Sequence, residues 1–266
     1  MNIYFDNAAT TPLRTEVISS ISEVMQECFG NPSSTHAFGR TAKTHIETAR
    51  KEIAKQINAA PQEIIFTSGG TESDNMILHC AVKDLGVKRI ISSPIEHHAV
   101  LHAMEALEQL FGISTAYVKT DDKGVVDLGD LEALLKSSKE KTLVSLMHVN
   151  NEIGNVLDLE VVGELCHQYG SYFHTDAVQG IGHFTFDMET LPVDFLSAAA
   201  HKFHGPKGIG FSFVRKNSGL QSFIHGGAQE RGLRAGTESV HNIVGMNKAL
   251  KLAYENLEVE RQKVLD

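Results

Sequence analysis

The stretch Ser197 to Phe211 reads SAAAHKFHGPKGIGF and places a lysine between an apolar run and a glycine-punctuated turn. Upstream VDFL and downstream GIGFSFV have the apolar, aromatic and β-branched character of buried strands. A lysine in such a place is solvated, paired or used, because burying an unpaired charge is costly. A solvated loop lysine is the ordinary outcome, and the rest of the chain decides whether Lys202 departs from it.

Working outward, short strand-like runs alternate with longer helical patterns. The runs are 63–67, 89–93, 114–118, 142–149, 171–175, 194–198 and 208–214. Helical spacing covers 72–85, 98–111, 129–138 and 158–169 between them, with 13–28 and 36–58 ahead of the first strand. Alternation of this kind predicts an α/β fold, a mainly parallel sheet flanked by helices, whose ligands bind where the strands' carboxyl ends open into loops. His97, Asn150 with Asn151, Asp176 and Lys202 each follow one of the predicted strands. Parallel neighbours would bring a histidine, an amide, a carboxylate and a lysine to one crevice.

Composition narrows the partners. The 266 residues carry a formal net charge of −9, which disfavours nucleic acid or an anionic membrane as the main partner. MNIYFDNAATTP has no basic region followed by an apolar stretch, so a cytoplasmic location is expected. The three cysteines, Cys28, Cys80 and Cys166, stand far apart and read as small core residues in a reducing compartment. His98 and His102 stand one helical turn apart without a third ligand of suitable spacing, and no metal is expected. Neither a G-x-S-x-G elbow nor an H-E-x-x-H motif is present.

The segment TSGGTESDN (67–75) leaves a strand, turns through Gly69 and Gly70, and is read as opening a helix at Thr71. Paired glycines let backbone approach an anion, and a helix start offers free N–H groups with partial positive charge. Thr71 would serve as N-cap and phosphate ligand. A capped helix start alone explains this turn equally well. Joined to a lysine, an aspartate and a histidine, it matches what pyridoxal 5'-phosphate requires: an amine to condense with its aldehyde, a carboxylate at its ring nitrogen, and an anchor for its phosphate. Asp176 would hold the ring nitrogen's proton, Gln179 would reach the ring oxygen, and His201 the phosphate.

At YFDNAATTP (4–12), FGNPSSTHAFGR (29–40), FTSGGTESDN (66–75), EHHAV (96–100), MHVNNEIG (147–154), HTDAVQ (174–179), HKFHGPKGIG (201–210) and GGAQERGLRAGT (226–237) the chain resembles the cysteine desulfurases of the class V aminotransferase family. That resemblance implies the aspartate aminotransferase-like large domain of fold-type I, with pyridoxal 5'-phosphate bound to Lys202. It further implies that His97 stacks on the ring and shuttles protons, and that Asn151 positions cofactor and substrate. Thr237 would reach the phosphate in a partner subunit of a homodimer. The implied reaction converts L-cysteine to L-alanine and passes sulfur to an acceptor protein, for iron–sulfur clusters or thiolation.

Two departures from the family pattern stand out. Where the family has a hydroxyl residue contacting phosphate, this chain has Ala199, a loss of about 0.5–3 kcal/mol if uncompensated. The family also continues beyond residue 266 into a smaller domain that carries a mobile-loop cysteine nucleophile and a carboxylate-binding arginine. The expected organisation is therefore residues 1–14 as a segment packing with that small domain, 15–255 as the cofactor-binding domain, and 256–266 as the start of the small domain. Two other readings stay open on the residues: a pyridoxal phosphate β-lyase or aminotransferase-like enzyme, and a non-catalytic homologue.

Overall fold

The computed structural model describes residues 3–265. Residues 1, 2 and 266, the outer ends of the expected terminal segments, lie outside the described residues. Seven strands, β1 (Ile64–Thr67), β2 (Arg89–Ser92), β3 (Ser114–Tyr117), β4 (Thr142–Ser145), β5 (Tyr172–Asp176), β6 (Phe195–Ala199) and β7 (Gly210–Val214), form one sheet. Its order is β1-β7-β6-β5-β4-β2-β3, parallel from β6 through β3, with β7 antiparallel to both β1 and β6.

Helices cover both faces: α1 (Thr15–Glu27), α2 (Ala37–Gln56), α3 (Gly70–Leu85), α4 (His98–Phe111), α5 (Leu128–Lys136), α6 (Leu159–Gln168), α7 (Val240–Glu255) and α8 (Leu257–Leu265). Successive strand residues point to opposite faces. Thus Ile64, Ile91, Val144, Phe173 and Leu196 join one core with α1, α2, α5, α6 and α7, while Ile65, Ile90, Leu143 and Phe195 join a second with α3 and α4. Burial on both faces explains why the strands read as continuous apolar runs.

One predicted strand is shorter. The run 142–149 leaves the sheet at Ser145, because the chain turns at Asn150, whose side-chain oxygen accepts hydrogen bonds from the N–H groups of Glu152 and Ile153. Near the C-terminal end, α7 and α8 are separated at Asn256, whose Nδ2 donates to the Leu252 carbonyl at 2.7 Å. An asparagine that engages its own backbone competes with the helical ladder.

Candidate active site

Four consecutive sheet strands, β6, β5, β4 and β2, run parallel, so their carboxyl ends share one edge. Lys202 follows β6 on a single 3₁₀ turn, Asp176 ends β5, Asn151 follows β4, and His97 follows β2. The four line one cavity of about 420 Å³ together with Gly70, Thr71, Gln179 and His201.

The α3 end of this cavity begins one residue earlier than the sequence suggested. Gly69 caps the helix with φ near 150°, a conformation that favours glycine, and Gly70 is its first residue. A Cβ at Gly70 would come within 2.6 Å of Val178 Cγ2, so only glycine lets the helix start seat against the β5 loop. Thr71 is consequently not the N-cap. Its side chain is free of that duty and stands on the first turn, where N–H groups and the positive end of the helix dipole favour an anion.

Opposite lies the lysine. Lys202 Nζ donates to the carbonyls of Ala8 and Ala9, the latter at 3.0 Å, so the N-terminal segment roofs the cavity. Thr11 ties that roof down: its N–H and Oγ1 both donate to the His201 carbonyl, at 2.9 and 2.8 Å. Gln179 Nε2 donates to Ala8 at 2.8 Å, and His201 Nδ1 lies 3.2 Å from Thr10 Oγ1. Burial lowers the Lys202 pKa below that of an ordinary lysine, against the opposing pull of Asp176, Asp6 and Glu152. An amine so placed is a better nucleophile near neutral pH than a solvated one. His201 is also lowered, by burial first and then by Lys202 and Lys207.

Asp176 is 6% exposed and its Oδ1 accepts the Val178 N–H at 2.9 Å. Burial raises its pKa, opposed by that hydrogen bond and by His97 and Lys202. His97 is the N-cap of α4, and its Nδ1 accepts the Ala99 N–H at 3.1 Å. The neutral ring therefore carries its proton on Nε2, with Nδ1 pinned to the helix. Asn151 donates to Glu152 Oε1 at 2.6 Å at the cavity wall. Asn150, by contrast, is buried, its oxygen spent on its own turn and its Nδ2 on the Ile95 carbonyl.

Thr237 is not brought to this cavity. It lines a separate small one with Thr67, Ser68 and Arg234, and Arg234 pairs with Glu72 of α3 at 2.8 Å. Ser197 faces inward, its Oγ 3.1 Å from His174 Nε2, and so does not stand in for the hydroxyl missing at Ala199. The sequence reading missed Asp74 and the roof residues Asp6, Ala8 and Ala9, which also line the cavity. Asp74 stands four residues after Gly70, on the same helix face, and that spacing was available to read. Nothing local in DNAATTP says that it folds back over residue 202.

The family description "Aminotransferase class-V" matches residues 3–264. The chain is 47% identical over 266 residues to a cysteine desulfurase IscS of Dictyoglomus turgidum, an alignment that covers 99% of this chain and 67% of that one. The chain belongs to the cysteine desulfurase family of class V aminotransferases. It is 45% identical to a cysteine desulfurase IscS of Methanosarcina thermophila, over 99% of this chain and 65% of the relative. Among solved structures, a NifS-like protein superposes with TM-score 0.93 at 43% identity, covering 97% of this chain and 71% of that one. A second, SspA in complex with cysteine, gives TM-score 0.88 at 38% identity, covering 94% and 72%. The chain thus spans about two thirds of the length of the curated relatives it matches. Desulfurases of this family depend on pyridoxal phosphate. The cavity suits that group on its own chemistry: an anion-favouring helix start, a lysine amine of lowered basicity and a buried carboxyl stand around one space of suitable size.

Proposed function

We propose that the protein is the cofactor-binding part of a cysteine desulfurase, acting on L-cysteine to give L-alanine and transferring sulfur to an acceptor protein. The observation that supports this most is the convergence of Lys202, Asp176 and the α3 start on one cavity. When bound, pyridoxal phosphate supplies an electron sink for the bond-breaking steps at an amino acid's α- and β-carbons. Gly70, Thr71 and His201 would hold its phosphate, and Lys202 its aldehyde carbon. Asp176 would keep a proton at the ring nitrogen, and Gln179 and Asn151 would orient the ring's other polar edge. His97 would cover the ring face and move a proton at Nε2, since Nδ1 is committed to Ala99.

None of Cys28, Cys80 and Cys166 lines the cavity, so the thiol that takes up sulfur is proposed to come from elsewhere in the assembled enzyme. We read Thr237 as serving the cavity of a second copy in a homodimer. The exposed Phe29 and Phe38, 77% and 57% accessible with ring centres 4.9 Å apart, offer apolar surface for it. A cytoplasmic location fits three free thiols. Among the described residues no helix is long and apolar enough to cross a membrane.

The test is chemical. With pyridoxal phosphate added, borohydride should fix the cofactor onto Lys202, located by peptide mapping, and Asp176→Ala should retain that labelling while losing α-proton exchange with amino acids. Labelling at Lys207 instead, or undiminished exchange in the variant, would remove these assignments.

A further inference from the structure

Beneath Asp176 lies a buried polar row that the reading above does not use. The strand residues Ser92, Ser145, His174, Ser197 and Ser212 are all fully buried. Each lies next to a residue of the α1/α2 core, so by strand alternation all point toward α3 and α4. Ser145 Oγ stands 2.8 Å from His174 Nδ1, and Ser197 Oγ 3.1 Å from His174 Nε2. From α3, Asp74 reaches onto this row: it is 1% exposed, and its Oδ1, without a hydrogen-bond partner, lies 3.5 Å from His174 Nε2. That distance is too long for a strong hydrogen bond, so His174 does not neutralise Asp74.

We propose that Asp74 is a positioning residue held as a neutral, protonated carboxyl between the His174–Ser197 pair and Asp176, so that the negative charge at this depth stays on Asp176.

None of the groups facing Asp74 carries a positive charge, and only the Ser197 hydroxyl favours its ionised form. From β5 come His174 and Asp176; from β6 comes the Ser197 hydroxyl; from the turn before α4 comes Glu96. His174 cannot supply a positive charge, because burial drives its pKa down to about 3. Asp176 and Glu96 are carboxyls, and each disfavours a second charge on Asp74. The basic side chains of the cavity, Lys202 and His97, favour the charge on Asp176 instead, which also holds the Val178 N–H. Burial and the charge of Asp176 push the Asp74 carboxyl well above the usual carboxylate range. An ionised Asp74 would sit next to Asp176 with no cation of its own, the arrangement that splits paired carboxyls into one charged and one neutral member. The benefit to the cofactor rests on Asp176 serving the ring nitrogen; the proton on Asp74 does not.

Two measurements on the 266-residue protein separate these points. Without cofactor, difference infrared spectra at neutral pH should show a protonated-carboxyl stretch that Asp74→Asn removes and that survives in Glu96→Gln. With pyridoxal phosphate, Asp74→Asn should keep affinity within about threefold of the native protein, whereas Asp74→Ala should lose about tenfold or more, the neutral amide replacing what a neutral acid does. Absence of any band lost in Asp74→Asn would overturn the proposal without touching Lys202 labelling. So would a folded Asp74→Asn protein that binds cofactor as weakly as Asp74→Ala.

Discussion

Arg50 of α2 grips Glu230 with two hydrogen bonds, at 2.7 and 2.8 Å, across 180 positions of sequence. Both side chains are 2% exposed or less, the guanidinium lies 4.4 Å over the Phe66 ring, and Glu230 also accepts the Phe66 N–H at 2.8 Å. The pair anchors the 226–237 loop, in which Glu230 and Arg231 adopt positive φ. Glu230→Ala leaves a buried guanidinium without its partner and Arg50→Met a buried carboxylate without its own, each expected to cost about 3–5 kcal/mol, while Arg50→Met with Glu230→Leu costs much less than either single change. Urea unfolding of the three variants checks this. Equal losses in the single and double variants would show that the pair is not the anchor.

Such pairs mark where the sequence stopped being legible. The strands, their apolar runs and the carboxyl-end placement of His97, Asn151, Asp176 and Lys202 could be read locally, because strand periodicity and turn residues are local signals. The antiparallel β7, the roof made by residues 6–11 and the Arg50–Glu230 anchor could not, because each depends on contacts between distant segments. GGAQERGLRAGT carries Arg231 and Arg234, yet its deeply buried charge is the acidic Glu230. Asp74 lay within reach of helical spacing but carried no meaning until His174 and Ser197 were seen beneath it.

Buried titrating groups set the pH range of stability. Burial lowers His174 to about 3 and His148 to about 4, from 6.5. The native state then binds fewer protons than the unfolded chain between those values, so stability is fully present above pH 6.5 and is lost as pH falls. Glu96 goes the other way: burial raises it to about 8 from 4.5, against the hydrogen bonds from Ser93 and Met147, so its contribution falls as pH rises through that window. Asp74 moves in the same direction. Glu96→Gln should therefore flatten the alkaline limb of urea midpoint against pH, and His148→Gln the acid limb. A Glu96→Gln profile parallel to the native one from pH 5 to 9 would contradict the buried-acid account.

At the proposed phosphate end, Ala199 closes β6 beside the α3 start; a Cβ at Gly70 would stand 3.8 Å from the Ala199 Cβ. A hydroxyl at 199 would face the same anion site as the α3 amides, and a hydrogen bond to a charged group contributes about 1.5–3 kcal/mol before ordering costs. Ala199→Ser should thus tighten pyridoxal phosphate binding about tenfold, as read by fluorescence titration. Unchanged affinity would place the phosphate away from the α3 start.

The cysteines give the most direct test of where sulfur is received. Cys80 and Cys166 are 1% and 0% exposed, and burial pushes both thiols up to about 12, with Asp84 and Asp194 adding to the effect. The thiolate is the nucleophile, so at neutral pH neither side chain is one to any useful extent. Cys28 ends α1 and packs on the core formed with α1 and α2, not on the cavity. In the proposed roles Lys202, Asp176 and His97 would still bind an amino acid and move its α-proton, so the early and late parts of the reaction should come apart in a polypeptide of these 266 residues. L-cysteine should produce a slow spectral change in the loaded protein, while alanine formation with dithiothreitol stays at the level of free pyridoxal phosphate. Replacing all three cysteines with alanine should leave the spectral change in place. Robust alanine formation that disappears in the triple variant would show that one of these thiols reaches the cavity, and would overturn their assignment as packing residues.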